Sequence, residues 1–285
     1  MGEGKGQVKL PEAAGPIGVF DSGYGGLTVL RELVALMPHY DYLYLGDNAR
    51  APYGTRSFEL VCQFTWQAVL RLFQMGCHLV ILACNTASAK ALRTIQQQRL
   101  PSVDPERRVL GVIRPTAECV GEITKSRSVG VLATPGTVRS RTYELEIAKL
   151  SPDIKVTSVA CPLWVPLVEA GEQESEGADY FVRKPIDELL QEAPETDAII
   201  LGCTHYPLLL PKIRRHTPQS VTLIPQGRYV AESLRSYLLR HPEMDAKLTR
   251  NSTVSCLTTE RTDFFDPSAA LFLGQPVSSR HISLG

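Results

Sequence analysis

The sequence predicts an α/β protein of two pseudo-symmetric domains, each a mostly parallel sheet flanked by helices, with a site in the cleft between them. Three observations carry this prediction. Short apolar runs alternate with helical stretches along the chain, the pattern of parallel sheets covered by helices. Two runs, HLVILACNTASA at 78–89 and DAIILGCTHYPLLL at 197–210, end abruptly in a cysteine followed by small hydrogen-bonding residues, and those cysteines are 119 positions apart. A weaker echo, IGVFDSG at 17–23 against VGVLATPG at 129–136, separates Gly18 from Gly130 by 112 positions. The two similar offsets point to two related halves rather than one continuous sheet. The expected division is 16–112 plus 226–285 for one domain and 113–225 for the other, with 1–15 a flexible tail.

The elements follow in order. Residues 17–20 read as a strand, and Asp21-Ser22-Gly23-Tyr24-Gly25-Gly26 as a tight turn into a helix over 27–37 that Pro38 stops. The glycines do not fit a dinucleotide fingerprint, because Thr28 stands where the third glycine belongs, and no GK[ST] makes a phosphate loop. A strand over 41–45 leads to NARAPYGT at 48–55, whose Pro52-Tyr53-Gly54 is turn chemistry. Ser57 is placed to cap the next helix, with an apolar stripe of Phe58, Cys62, Trp66, Val69 and Phe73. The run at 79–83 is a strand buried on both faces, followed by a helix over 87–98. Strands at 109–113 and 128–133, a helix from Thr137 to Leu150, and a strand at 155–160 come next. The helix expected at 178–191 should kink or split at Pro185. After the Cys203 strand come a short helix at 208–216, a strand at 222–224, a helix at 228–241 and strands at 254–257 and 277–282.

Composition excludes several functions. Apolar residues are 44% of the chain and charged ones 21%, enough for a real core, and 30 basic side chains balance 30 acidic ones. That balance gives no electrostatic footprint for nucleic acid or an anionic membrane surface. No apolar run approaches the roughly 20 residues of a bilayer span. Residues 1–15 lack the apolar stretch of a secretory signal. Seven cysteines without framework spacing read as thiols in a reducing compartment, which predicts a cytoplasmic protein.

Ligands of open α/β sheets gather at the carboxyl ends of strands, where Cys84 and Cys203 fall. A partly exposed strand-to-helix position is expected to lower a thiol from ~8.5 toward neutrality. Each thiol then serves as acid or base near pH 7. Two of them on opposite faces of one carbon remove a proton from one side and return one to the other, inverting a stereocentre without a cofactor. Asp21 and His205 are the strand-end titratable groups placed to assist. Two other functions use the same residues. Cys84, Cys203 and His205 can make a Cys₂His zinc site, though no CxxC or HExxH accompanies them. A non-catalytic amino-acid sensor would keep the cleft without turnover.

Four motifs, DSGYGGLTV (21–29), ARAPYG (49–54), ACNTAS (83–88) and GCTHYPLL (202–209), resemble glutamate racemase in order and spacing, and the similarity runs from about 17 to 274. The resemblance implies a cofactor-independent two-base racemase, of two α/β halves, that supplies D-glutamate for peptidoglycan in the bacterial cytoplasm. It implies Cys84 and Cys203 as the paired acid/base thiols, with Asp21 assisting near Cys84 and His205 near Cys203. It further implies that Ser22, Asn85, Thr86 and Thr204 hold the α-carboxylate and α-amino groups. Tyr53 and Gly54 would lie near the side-chain carboxylate, Asp21 and His205 would also touch substrate, no metal is required, and a homodimer is expected. Two features depart from the family pattern: Pro225-Gln226-Gly227, where many relatives carry an Asp-Ser-Gly-like stretch, and Arg114. The remaining cysteines (62, 77, 119, 161 and 256) read as small core residues. The other histidines (39, 78, 216, 241 and 281) read as structural or solvated.

Overall fold

A computed structural model of the chain describes residues 10–284. Its strands are β1 (Ile17–Asp21), β2 (Tyr42–Gly46), β3 (Leu79–Leu82), β4 (Arg108–Gly111), β5 (Ser128–Ala133), β6 (Lys155–Ala160), β7 (Ala198–Gly202), β8 (Thr222–Pro225), β9 (Val254–Thr258) and β10 (Ser279–His281). They form two sheets, one ordered β10-β9-β2-β1-β3-β4 and the other β6-β5-β7-β8. Every pairing between these strands is parallel. The order β2-β1-β3-β4 in one sheet repeats as β6-β5-β7-β8 in the other, so the strand before Cys84 and the strand before Cys203 hold equivalent places. β1, β2, β3, β5 and β7 are buried along their whole length, which is why each reads as an unbroken apolar run rather than an alternating one. The echo of Gly18 and Gly130 has a packing cause. A Cβ on Gly18 would lie 3.2 Å from Cys77 Sγ, and one on Gly130 would lie 2.4 Å from Leu189 Cδ2.

Several expectations require correction. The helix Glu176–Glu192 runs through Pro185 without splitting. Proline lacks the N–H that would bond the carbonyl four residues back, and that carbonyl, Phe181 O, instead accepts the Trp164 indole N–H at 2.9 Å. The strand expected at 109–113 stops at Gly111, and Ile113 opens the helix Ile113–Ile123. Pro115 is accommodated there because first-turn amides have no partner within the helix. Arg114 lies on this helix and pairs with Glu118 at 2.9 Å on the surface. The helix expected at 87–98 is segmented: Asn85–Lys90, then a widened turn at Ile95–Arg99 ahead of Pro101, which has no N–H and crowds the preceding turn. The helix expected up to Leu150 breaks at Arg141, whose φ is 53°. Ser140 Oγ donates to Thr137 O and accepts from Thr142 N, competing locally with the helical ladder. The stripe on the helix Phe58–Gln74 is rotated: Val61, Thr65, Ala68 and Leu72 are buried alongside Cys62, Val69 and Phe73, while Phe58 is half exposed. The strand expected at 277–282 shortens to Ser279–His281.

Residues 1–9 of the expected tail lie outside the described residues. Residues 10–15 are tied down. Buried Arg107 donates to the carbonyls of Pro11 and Cys77, His78 Nε2 donates to Ala13 O at 2.9 Å, and Gly15 exchanges hydrogen bonds with Lys247 and Thr249. Among the described residues no helix is long and apolar enough to cross a membrane.

Candidate active site

A cavity of about 150 Å³ opens where the carboxyl ends of both sheets meet. Loops after equivalent strands line it in pairs: Ser22 and Gly23 after β1 with Thr134 and Pro135 after β5; residues 51–55 after β2 with Cys161 and Pro162 after β6; Cys84, Asn85 and Thr86 after β3 with Cys203, Thr204 and His205 after β7. Of the predicted site residues, Ser22, Tyr53, Gly54, Cys84, Asn85, Thr86, Cys203, Thr204 and His205 line this one space. Asp21 does not line it; it is buried behind, accepting hydrogen bonds from Gly23 N at 2.8 Å and Thr204 Oγ1 at 3.3 Å.

Cys84 follows the buried strand β3 and caps the helix Asn85–Lys90, its sulfur accepting the Ala87 N–H at 3.4 Å. Ser22 Oγ and Cys84 Sγ share a hydrogen bond at 3.4 Å. The expected lowering of this thiol does not occur. Burial, then the Asp21 carboxylate, pushes Cys84 up to about 12, against the smaller pull of Ser22 and the Ala87 amide. The sequence suggested a partly exposed turn, but Cys84 packs into the apolar core of its own half and is only 6% exposed. Burial also holds the Asp21 carboxyl above its usual range, outweighing His205 and the hydrogen bonds from Gly23, Gly26 and Thr204.

Cys203 Sγ lies 3.9 Å from His205 Nδ1, and His205 Nε2 lies 3.0 Å from Glu169 Oε1. Burial alone would depress the imidazole. The hydrogen bonds to Cys203 and Glu169 outweigh it and raise His205 to about 10, so it is cationic at neutral pH. Glu169 closes the helix Trp164–Glu169, which sequence reasoning did not see. That helix is anchored by Trp164, whose ring packs edge-on against Tyr206 at 4.7 Å. The two halves touch closely here. A Cβ on Gly25 would stand 2.2 Å from Thr204 Oγ1 and 2.5 Å from His205 Nδ1, so only glycine lets this turn approach.

The other predicted ligands are braced by buried networks. Thr86 Oγ1 bonds Thr134 Oγ1 at 3.0 Å across the halves. The Tyr53 hydroxyl donates to Asp47, a carboxylate that also accepts from Arg50 and Thr259. Tyr53 is therefore more than a turn residue, and its hydroxyl is committed inward. Asn85 bonds Gln226 and Tyr143. Gln226 belongs to the stretch that departs from the family pattern, and Glu169, Tyr143 and Thr134 were not singled out. For Gln226, Tyr143 and Thr134 the only sequence signal was position at a helix start or after a strand, and Glu169 carried none. Cys161, read as plain core, is buried but lines the cavity. Among the described residues no three His, Cys, Asp or Glu side chains converge as metal ligands, which leaves the zinc arrangement without its ligand set.

Two parallel sheets of repeated strand order, presenting paired strand-end cysteines to one cavity, define a pseudo-symmetric α/β enzyme scaffold. The family model described as Asp/Glu/Hydantoin racemase matches residues 17–233. The chain belongs to that family and is an amino-acid racemase. Its relatives include the glutamate racemase of Bacillus cereus, 40% identical over 269 residues, covering 94% of this chain and 97% of that one. That of Paracoccus denitrificans is 41% identical, covering 92% and 97%. Among solved structures, glutamate racemase isoform RacE1 from Bacillus anthracis superposes with a TM-score of 0.86 at 34% identity, covering 95% and 98%. The glutamate racemase from Francisella tularensis, solved in complex with D-glutamate, gives 0.84 at 31% identity, covering 94% and 97%.

Proposed function

We propose that the chain interconverts L- and D-glutamate by a two-base reaction, with Cys84 and Cys203 as the paired thiols and no cofactor. The observation that carries this reading is that both cysteines, from equivalent places in two sheets, line one cavity with different proton partners. Glutamate as substrate is supported by the relatives' activity and by the bound D-glutamate of the Francisella enzyme. Ser22, Asn85, Thr86 and Thr204 supply donors for a carboxylate, which must be hydrogen-bonded once dehydrated.

Burial and the Asp21 carboxylate keep the proton on Cys84, which makes it the acid. The α-ammonium of glutamate brings a positive charge into this pocket and eases ionisation of the thiol. One thiolate takes the Cα proton and becomes a thiol, the electron pair left on Cα is shared with the α-carboxylate, and the opposite thiol gives its own proton to the other face of Cα and becomes the thiolate. Cationic His205, held by Glu169, carries its proton 3.9 Å from the Cys203 sulfur, and Asp21 tunes Cys84 from behind the cavity. The same reading places the protein in the bacterial cytoplasm as a source of D-glutamate for peptidoglycan, in a homodimer, with the two sheets as the cores of two domains.

L-Glutamate incubated with the protein in D₂O tests the proposal. Deuterium is expected at Cα of both enantiomers, with chelator present or absent and with aspartate exchanging far more slowly. Binding without exchange would identify a sensor, and loss of exchange on chelation would restore the metal reading; either overturns the proposal.

A further inference from the structure

Gln226 opens the helix Gln226–Arg240, is buried, and has no direct place on the cavity wall. Its amide can stand only one way round. The carbonyl of Val112 can only accept, and the Thr116 hydroxyl already donates to it at 3.0 Å. The end of Gln226 that faces them must therefore donate, and Nε2 lies 3.0 Å from Thr116 Oγ1 and 3.4 Å from Val112 O. Oε1 is left facing Asn85, whose Nδ2 donates to it at 2.6 Å. Asn85 Oδ1 in turn accepts the Tyr143 hydroxyl at 2.7 Å, and the Tyr143 oxygen accepts from Gln226 Nε2 at 2.5 Å. Three hydrogen bonds close a ring with one consistent donor sense. Reversing the Gln226 amide would set oxygen against the Val112 carbonyl and nitrogen against the Asn85 nitrogen.

The ring fixes the amide of Asn85, a residue that does line the cavity, next to Cys84. Its oxygen is taken by Tyr143. Its nitrogen keeps one proton with no partner among the described residues. We propose that Gln226 is a positioning residue that locks Asn85 as a hydrogen-bond donor toward the cavity, selecting a carboxylate over a carboxamide at that point of the substrate. The inference rests on the reading of Asn85 as a ligand of a glutamate carboxylate. Gln226 contributes without touching substrate: it removes the flipped orientation of Asn85 that would present an acceptor to an acceptor.

The test compares Gln226→Met, which keeps length and loses polarity, with Tyr143→Phe, which removes the donor to Asn85 Oδ1, and with Asn85→Ala. Thermal melts accompany each, so that either ring variant serves if the other does not fold. The ring variants are expected to raise KM for both enantiomers about five- to tenfold while kcat moves less than about twofold, the signature of lost uniform binding. Inhibition by glutamine and isoglutamine adds a readout of amide polarity. For the monoamide that replaces the carboxylate at Asn85, selectivity against it is expected to fall about fivefold in the ring variants. Unchanged KM and selectivity in both ring variants, alongside a raised KM in Asn85→Ala, overturns the role of Gln226 alone. Unchanged KM in Asn85→Ala overturns the reading of Asn85 as a ligand, and this inference with it.

Discussion

Cys84 retains its proton because the fold strips it of water and sets the Asp21 carboxylate nearby, a site that favours the neutral thiol. Under the proposed mechanism this makes the sulfur an acid in reserve rather than a resting thiolate. Cys84→Ser is expected to lower racemisation by about 10²–10⁴-fold, the worth of a positioned proton-transfer group, because an alcohol ionises far less readily than a thiol. Deuterium exchange at Cα of each enantiomer measures it, and near-normal exchange would remove Cys84 from its role. Glu169→Gln addresses the other end. His205 is held up at about 10 in the folded chain against ~6.5 unfolded, so its contribution to stability is complete below about pH 6.5 and is lost as pH rises through about 10. Cys84 adds a loss of the same sign above ~8.5. Neutralising Glu169 lowers His205, so the variant's urea midpoint is expected to fall less steeply than wild type between pH 7 and 10; equal slopes would deny the pair its effect. Cys84 and Cys203 were legible in the sequence because an apolar run that stops at a thiol is visible in one dimension. Glu169 was not, because its meaning comes from His205, far along the chain, and a glutamate in a polar stretch looks like solvated surface.

Elements were legible where burial wrote a pattern and illegible where a distant partner changed the rule. β1, β3 and β7 announce themselves as unbroken apolar runs. The helix through Pro185 does not, since the device that permits it is the Trp164 indole reaching Phe181 O. This contact also ties the helix bearing Glu169 to its neighbour. Trp164→Phe is expected to destabilise by about 1–3 kcal/mol, from the unpaired carbonyl and the lost ring volume. In a Pro185→Ala background the alanine N–H bonds that carbonyl, and the cost is expected to shrink by about 1 kcal/mol, a coupling read from a double-mutant cycle in urea. Strict additivity would mean that the indole contributes packing alone. The turn at Gly25 behaves similarly. Its glycines could be read as a tight turn, but not as the seat of Thr204 and His205. Gly25→Ala is expected to lower kcat/KM by about 10²-fold, since a displacement near 1 Å at the chemistry costs that much. A variant with unchanged kcat/KM would show that the loop yields at no catalytic cost.

At the scale of the molecule, the cavity is bounded by both sheets, and the hydrogen bonds that join the halves include Thr28 Oγ1 to Thr204 O at 3.0 Å, Thr204 Oγ1 to Asp21 Oδ2 at 3.3 Å, Thr86 to Thr134, and Tyr143 to Asn85. The two-sheet arrangement and its repeat were readable from strand spacing, whereas the bonds that join the halves were not, because each lies between residues far apart in sequence. A ligand in the cavity adds contacts to both halves at once and stabilises them as a unit. Glutamate at about 100 times its Kd is expected to add roughly 2.7 kcal/mol, which for a chain of this size raises Tm by roughly 5 °C. Because an active racemase equilibrates the enantiomers, L- and D-glutamate are expected to give the same shift in the wild-type protein. With Cys84→Ser that equilibration stops, and the two enantiomers are expected to give separate shifts. Aspartate, one methylene shorter, is expected to bridge the Asn85 end and the Tyr53-Gly54 loop less well and to shift Tm less. Calorimetry with the three ligands decides it. A melt in which glutamate moves only one of two resolved transitions would mean that the substrate sits on a single half, and the paired-thiol geometry would fall with it.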